Sequence, residues 1–266
     1  MMIQHIDRRR LKADMKDTVR SARVSARRFT ALYLVLALAV SLVNYAGSLR
    51  GSTSVSLFLS FFCTLLTAVL GAGFAMYCMA IRQGERMEYL AVFDGFSIAG
   101  KFIALYLVKF CLVMAWSMLF LIPGFIAAYR YRFAEYNLYE NPDLGVFQCL
   151  DMSKRQTVGY KSQLLALDLS YFGWACLATL PVIAESYLYA FENVAVELGM
   201  APFLPELSAA QYLVWMVAAG LWQVAVSLFY LPVYRCTELG YYDIAKETSG
   251  VHPEDFAREP VAPDGL

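Results

Sequence analysis

Long charge-free apolar runs dominate the pattern of this chain. Phe29 to Leu49, Val55 to Ile81 and Leu207 to Tyr234 contain no charged residue over 21, 27 and 28 positions. Phe102 to Ile122 is interrupted only by Lys109, and Ser162 to Ala184 only by Asp168. A helix crosses the hydrocarbon core of a bilayer in about 20 residues. Runs this long exceed any buried strand. The pattern predicts an all-α fold, a polytopic transmembrane helix bundle. A shorter segment, Gly124 to Tyr139, follows the breaker pair Pro123-Gly124 and carries Arg130, Arg132 and Glu135. Its 16 residues span about 24 Å as helix, short of a core about 30 Å thick.

Polar positions between the runs set the threading. The first 28 residues hold nine basic and three acidic side chains, so this end is expected in the cytoplasm. The loops 82–101 and 140–161 each carry three basic residues, whereas 185–206 carries four acidic and no basic ones. Only a six-span path, with Gly124–Tyr139 as a short fourth crossing, puts every basic loop inside and the acidic loop outside. Both termini are then cytoplasmic. Within residues 1–28, Leu11, Met15, Val19 and Ala22 recur at helical spacing among arginines and lysines. This predicts a basic amphipathic helix that attracts anionic lipid headgroups at residues 8–28, or one that only fixes topology. Leu144–Val158, with Phe147, Leu150 and Val158 among Asp151, Lys154 and Arg155, predicts a second surface helix. Residues 88–100 are expected to behave similarly. Asn141-Pro142 offers a turn and a cap for the helix after it, and Gly159 ends that helix. Residues 241–266 are expected to be an acidic tail, largely disordered beyond about Thr248. No cleavage pattern follows the first run, which is expected to remain as an anchor.

Composition agrees. Hydrophobic residues make up 59% of 266 and charged residues 17%, with 22 basic and 22 acidic side chains. A soluble domain runs near 25% charged. The six cysteines form no C-x-x-C pair, and the two histidines, His5 and His252, lie in the flanks. No zinc motif, intramembrane Ser-His dyad or nucleotide-binding glycine pattern is present. The expectation is a non-catalytic protein without metal or cofactor and without nucleic-acid partners.

Charges inside apolar runs are costly and mark partners or function. Counted from Lys101, Lys161 and Pro142, Lys109, Asp168 and Glu135 lie about 10–12 Å deep, with Arg132 a turn deeper. These four form one layer in the cytoplasmic half. They either line a cytosol-facing cavity for a charged solute or headgroup, or neutralise one another as Lys109–Asp168 and Arg132–Glu135 pairs. Arg130 lies about 200° around the helix from Arg132 and needs another partner or exposure. Gly71 and Ala75 give a small-x-x-x-small face. Trp116 to Pro123 faintly echoes Trp174 to Pro181, and transporters often carry internal repeats.

An ordered motif set runs from the third span onward. It comprises Pro123-Gly124, Glu140-Asn141-Pro142-Asp143, Ser153-Lys154, Gly159-x-Lys161, Leu167-Asp168-Leu169-Ser170 through Gly173-Trp174, Pro232-x-Tyr234-x-x-Thr237 and Tyr241-Tyr242. This set resembles the bacterial integral-membrane family called domain of unknown function 975. The resemblance implies a multi-span protein of the bacterial cytoplasmic membrane with about six spans. It supplies no activity, substrate or catalytic residue. It places Asp168 within a motif and leaves Lys109, Arg130 and Arg132 outside.

The functional expectation is a protein acting through lipid or protein partners, or as a homo-oligomer, at the cytoplasmic face. The alternative is a small transporter or lipid-handling protein that uses the polar layer.

Overall fold

The computed structural model describes residues 6–22, 25–48, 52–85, 87–201 and 208–257, without the side chains of Ser48, Ala209 and Ala257. The part of the expected tail from 258 onward lies outside the described residues. All elements described are helical: α1 (Arg8–Ser21), α2 (Ala26–Ser48), α3 (Thr53–Gln83), a 3-10 helix (Tyr89–Ile98), α4 (Ala99–Leu119), α5 (Leu121–Arg130), α6 (Ala134–Glu140), α7 (Val146–Gln156), α8 (Lys161–Glu197), α9 (Ala209–Ser249) and α10 (Glu254–Ala257). The molecule is a polytopic membrane protein. Five of its segments are long and apolar enough to cross a membrane: α2, α3, the 3-10 helix with α4, α8 and α9.

The segment expected to make the fourth crossing is built of two helices. At Phe120 the backbone is extended, and α5 folds back along α4. Pro123 sits in the first turn of α5, where its missing N–H costs no helical bond. Gly124 permits the close approach, since a Cβ there would stand 2.9 Å from Ser117 Cα. Tightened bonds at Tyr131–Ala134 carry α5 into α6. Leu121 to Glu140 thus reaches about 30 Å. Lys101, at the start of α4, donates to the carbonyl of Pro142, just beyond α6. The hairpin therefore leaves and returns to one end of the molecule.

That end is the packed one and forms a platform. Phe133, Tyr136, Leu138, Met152, Tyr160, Leu164 and Tyr242 are buried there between α6, α7, the start of α8 and the end of α9. At the opposite end Phe58, Met118, Phe120, Leu121 and Leu198 are exposed. Large apolar side chains can remain outside where lipid is the solvent, and the bulkiest buried side chains gather toward the platform end.

Several local expectations change. α9 does not stop at Tyr234 but runs to Ser249, so residues 241–249 are helix rather than tail. Tyr241, Tyr242 and Ala245 are buried in the platform. α7 turns Cys149, Leu150, Met152 and Ser153 inward onto its neighbours instead of laying its apolar face on the membrane, and Phe147 stays exposed. Residues 89–98 form a 3-10 helix that packs Ala91, Val92 and Gly95 on α3 and leaves Tyr89, Leu90, Phe93 and Phe96 exposed. Asn141 closes α6, its amide donating to Asn137 O, while Gly145 is the N-cap of α7. The Trp116 echo spans a chain reversal in one copy and unbroken helix in the other, so it is no structural repeat.

Candidate functional site: an ionic layer at the base of the bundle

The buried charge centres on Arg132, in the turn between α5 and α6. Its guanidinium forks onto Asp168 of α8 (Nη1–Oδ2 2.6 Å, Nη2–Oδ1 3.0 Å). Its Nε donates to Glu238 of α9 at 2.7 Å. Two tyrosines complete the carboxylate's shell: Tyr129 donates to Asp168 Oδ2 at 2.7 Å, and Tyr234 donates to Oδ1 at 2.8 Å. Glu238 also accepts from Arg235 at 3.1 Å. Lys109 of α4 pairs with Glu135 of α6 at 2.7 Å.

The sequence-predicted members Lys109, Arg132, Glu135 and Asp168 are therefore together, but with partners exchanged. Lys109–Asp168 and Arg132–Glu135 are not the pairs formed. A three-residue step puts Arg132 and Glu135 on either side of the tightened turn, so each reaches a different neighbouring helix. Arg235, Glu238, Tyr234 and Tyr129 complete the layer, and of these the two charges Arg235 and Glu238 were missed. Arg235 and Glu238 follow directly on the last apolar run and read as the start of a polar tail. The available signal was their i,i+3 spacing behind Tyr234. Arg130 is not in the layer.

The layer lies shallower than counting from Lys101 and Lys161 suggests. The charge-free run of α9 ends at Tyr234, beside Arg235. The corresponding run of α2 begins at Phe29, and Ala26 and Arg27 share a cavity wall with Leu228 to Val233. The basic helix α1 flanks the same level: Ile6 N bonds Gln163, Arg8 bonds Ala166 O, and Lys12 donates to Ser170 Oγ at 2.6 Å. The layer thus sits at the rim of the apolar slab, where headgroups would lie.

Nor does it face the platform side. Tyr136, Phe133 and Tyr242 pack ring against ring beneath it. A cavity of about 440 Å³ runs from Lys109, Arg132 and Asp168 up to Phe125. A second, of about 480 Å³, runs from Glu135 and Arg235 between α2, α3 and α4 to Asn44. Both cavities extend from the layer away from the platform. Gly71, on the small face of α3, lines the second cavity, and a Cβ added there would stand 3.6 Å from Tyr33 Oη of α2.

The remaining motif residues hold the platform. Ser153 Oγ donates to Arg130 O at 2.9 Å and accepts from Phe133 N at 3.1 Å, clamping the α5–α6 turn from α7. Gly159 takes φ +85°, the left-handed turn that glycine favours, before α8 starts. Trp174 stacks on Tyr230 of α9. Tyr242 Oη lies 3.0 Å from both Asn137 Oδ1 and Glu140 Oε2. Burial pushes the Cys149 thiol of α7 up to about 11, despite the nearby Lys101 charge. Burial and then the neighbouring Arg8 lower Lys12 of α1, whose ammonium lies over the Tyr171 ring. Among the described residues no group of three or more His, Cys, Asp or Glu is arranged to hold a metal.

Residues 106–248, more than half of the chain, match the family described as "Protein of unknown function (DUF975)". The chain belongs to that family. The matched stretch contains all members of the ionic layer and the clamp residues of α7, and begins after α1, α2 and α3. No curated protein and no solved structure matches the chain.

Proposed function

We propose that this protein is a non-catalytic component of the bacterial cytoplasmic membrane, with its platform and α1 in the cytoplasm, and that it works through lipids or protein partners at that face. The observation supporting this reading is the closure of the ionic layer. Three cations (Lys109, Arg132, Arg235) meet three carboxylates (Glu135, Asp168, Glu238), each in a direct pair. A closed set joins α4, α6, α8 and α9 and leaves no charge over for a solute. Working charges are then those on the outside, above all the exposed basic positions Arg9, Arg10, Lys16 and Arg20 of α1.

Native mass spectrometry after mild extraction tests this. Replacing those four residues by Gln should release co-purifying anionic lipid or partner protein. Unchanged recovery would defeat the reading. A second reading, a transporter or lipid-handling protein, draws on the two cavities, which share Glu135 and Arg235 as walls. It requires that Lys109→Gln with Glu135→Gln, which removes a pair without leaving a lone charge, abolish function in cells. The leading reading expects that double variant to remain functional.

A further inference from the structure

Against the closed ionic layer, one charge on the bundle is conspicuous for being unpaired. Arg130 forms no ion pair among the described residues, and its Nε is buried without a hydrogen-bond partner. A buried donor left without a partner is costly, and more so on a charged group. The backbone is held firmly at this point, because Ser153 and Thr157 both donate to Arg130 O. Four residues after Thr157 comes Lys161, the first residue of α8. It too has no acid partner among the described residues, and it feels the Arg130 charge. Two cations without an acid partner among the described residues therefore stand where α5 ends and α8 begins, tied through the Thr157–Arg130 bond.

What lies beyond them is apolar. On α8, Lys161, Leu165, Asp168 and Phe172 follow one stripe at spacings of four, three and four, with Leu169 beside it. Asp168 is consumed by Arg132 and the two tyrosines. Leu165, Leu169 and Phe172 are exposed. On α5, Arg130, Ile126 and Ile122 stack one turn apart, and both isoleucines are exposed. α5 and α8 are joined by the Tyr129–Asp168 bond. Their outer edges thus form a groove with a cationic foot at the rim of the apolar slab and aliphatic walls leading inward from it.

We infer that this groove binds one anionic glycerophospholipid. Its phosphate is seated between Arg130 and Lys161, and its acyl chains lie along Ile122 and Ile126 of α5 and Leu165 and Leu169 of α8. The two-part layout, positive foot and apolar walls, matches a lipid rather than a soluble anion, which has no use for the walls. Arginine supplies a planar fork suited to phosphate oxygens, and lysine a point charge beside it. The inference rests on the lipid-facing reading above and gives it a site and a lipid class.

The test uses the full chain, delipidated in detergent and titrated with dioleoyl phosphatidylglycerol or dioleoyl phosphatidylcholine under native mass spectrometry. Phosphatidylglycerol should bind at least about tenfold more tightly, since each basic side chain near an anionic headgroup contributes about 1 kcal/mol. Arg130→Gln/Lys161→Gln should remove that preference, Lys161→Gln alone should reduce it, and the α1 quadruple variant should retain it at this site. A photoactivatable phosphatidylglycerol should cross-link peptides containing Ile126 or Leu165. If the preference disappears only with the α1 variant, the groove assignment is wrong and the broader reading survives. If neither set of changes alters it, both fail. Displacement of the lipid by millimolar inorganic phosphate would assign the foot to a soluble anion and overturn the lipid. Lys161→Gln guards against an Arg130 variant that does not fold.

Discussion

At the scale of single residues, the ionic layer separates two kinds of mutation. Arg132→Gln leaves the half-buried Asp168 without its cation and the buried Glu238 with Arg235 alone, and breaking a buried pair from one side costs about 3–5 kcal/mol. Lys109→Gln with Glu135→Gln removes both ends of a pair and should cost about 1 kcal/mol or less. Thermal stability followed by size exclusion in mild detergent should show a large drop for the first and a small one for the second. Equal drops would mean that Lys109–Glu135 carries as much of the fold as Arg132. A second prediction concerns Cys149. Its thiol stays protonated up to about 11 in the folded chain, whereas an exposed thiol ionises near 9. Between those values only the unfolded chain has lost the proton. Stability therefore falls as pH rises through this window, and the slope should be shallower in Cys149→Ala. Folded protein should also resist maleimide at Cys149 at pH 8. Lys109 and Asp168 were legible because each stands alone in an apolar run. Arg235 and Glu238 were hidden by position, since a charge after an apolar run reads as the end of a span.

Elements were legible to the extent that lipid contact defines them. The runs Val55–Ile81 and Ser162–Ala184 lie within α3 and α8, and the first, third and last overlap α2, α4 and α9 closely. Where a helix continues into water, charge density no longer reports its end. α9 extends past Tyr234 because its last four turns bury Tyr241, Tyr242 and Ala245 and tie into the platform through Arg82–Asp243 and Lys246–Glu140. A chain ending at Leu239 should lose these contacts and fail to give a monodisperse protein, although every apolar run is intact. If it behaves as the full chain does, the platform is dispensable for folding. The α4–α5 hairpin carries a sharper prediction. Gly124→Val places carbon against the Ser117 backbone and should cost about 1–3 kcal/mol by overpacking, measured as above. Gly173, on α8, meets nothing within 4 Å of an added Cβ. Gly173→Ala should therefore leave stability unchanged or raise it slightly.

For the whole molecule, the threading follows from one geometric fact and one charge rule. The Lys101–Pro142 bond brings the α4/α5–α6 hairpin back to its starting side, so α7 shares a side with α1. On the reading proposed above, the basic excess of residues 1–28 puts that side in the cytoplasm, and the acidic end of α8 then faces outward. In a background without the native cysteines, Asp17→Cys, Asp151→Cys and Glu197→Cys separate the possibilities. A membrane-impermeant maleimide added to intact cells should label Glu197→Cys alone, and the other two only after permeabilisation. Labelling of Asp17→Cys and Asp151→Cys on opposite faces would mean that the two-piece hairpin does not traverse the bilayer. Inverted labelling of all three would keep the six-segment path but reverse it, placing the Arg130–Lys161 foot in the outer leaflet. The basic platform would then lie on the wrong side of the membrane for the cytoplasmic role proposed. The same three cysteines thus test the orientation on which the functional reading depends, independently of any lipid measurement.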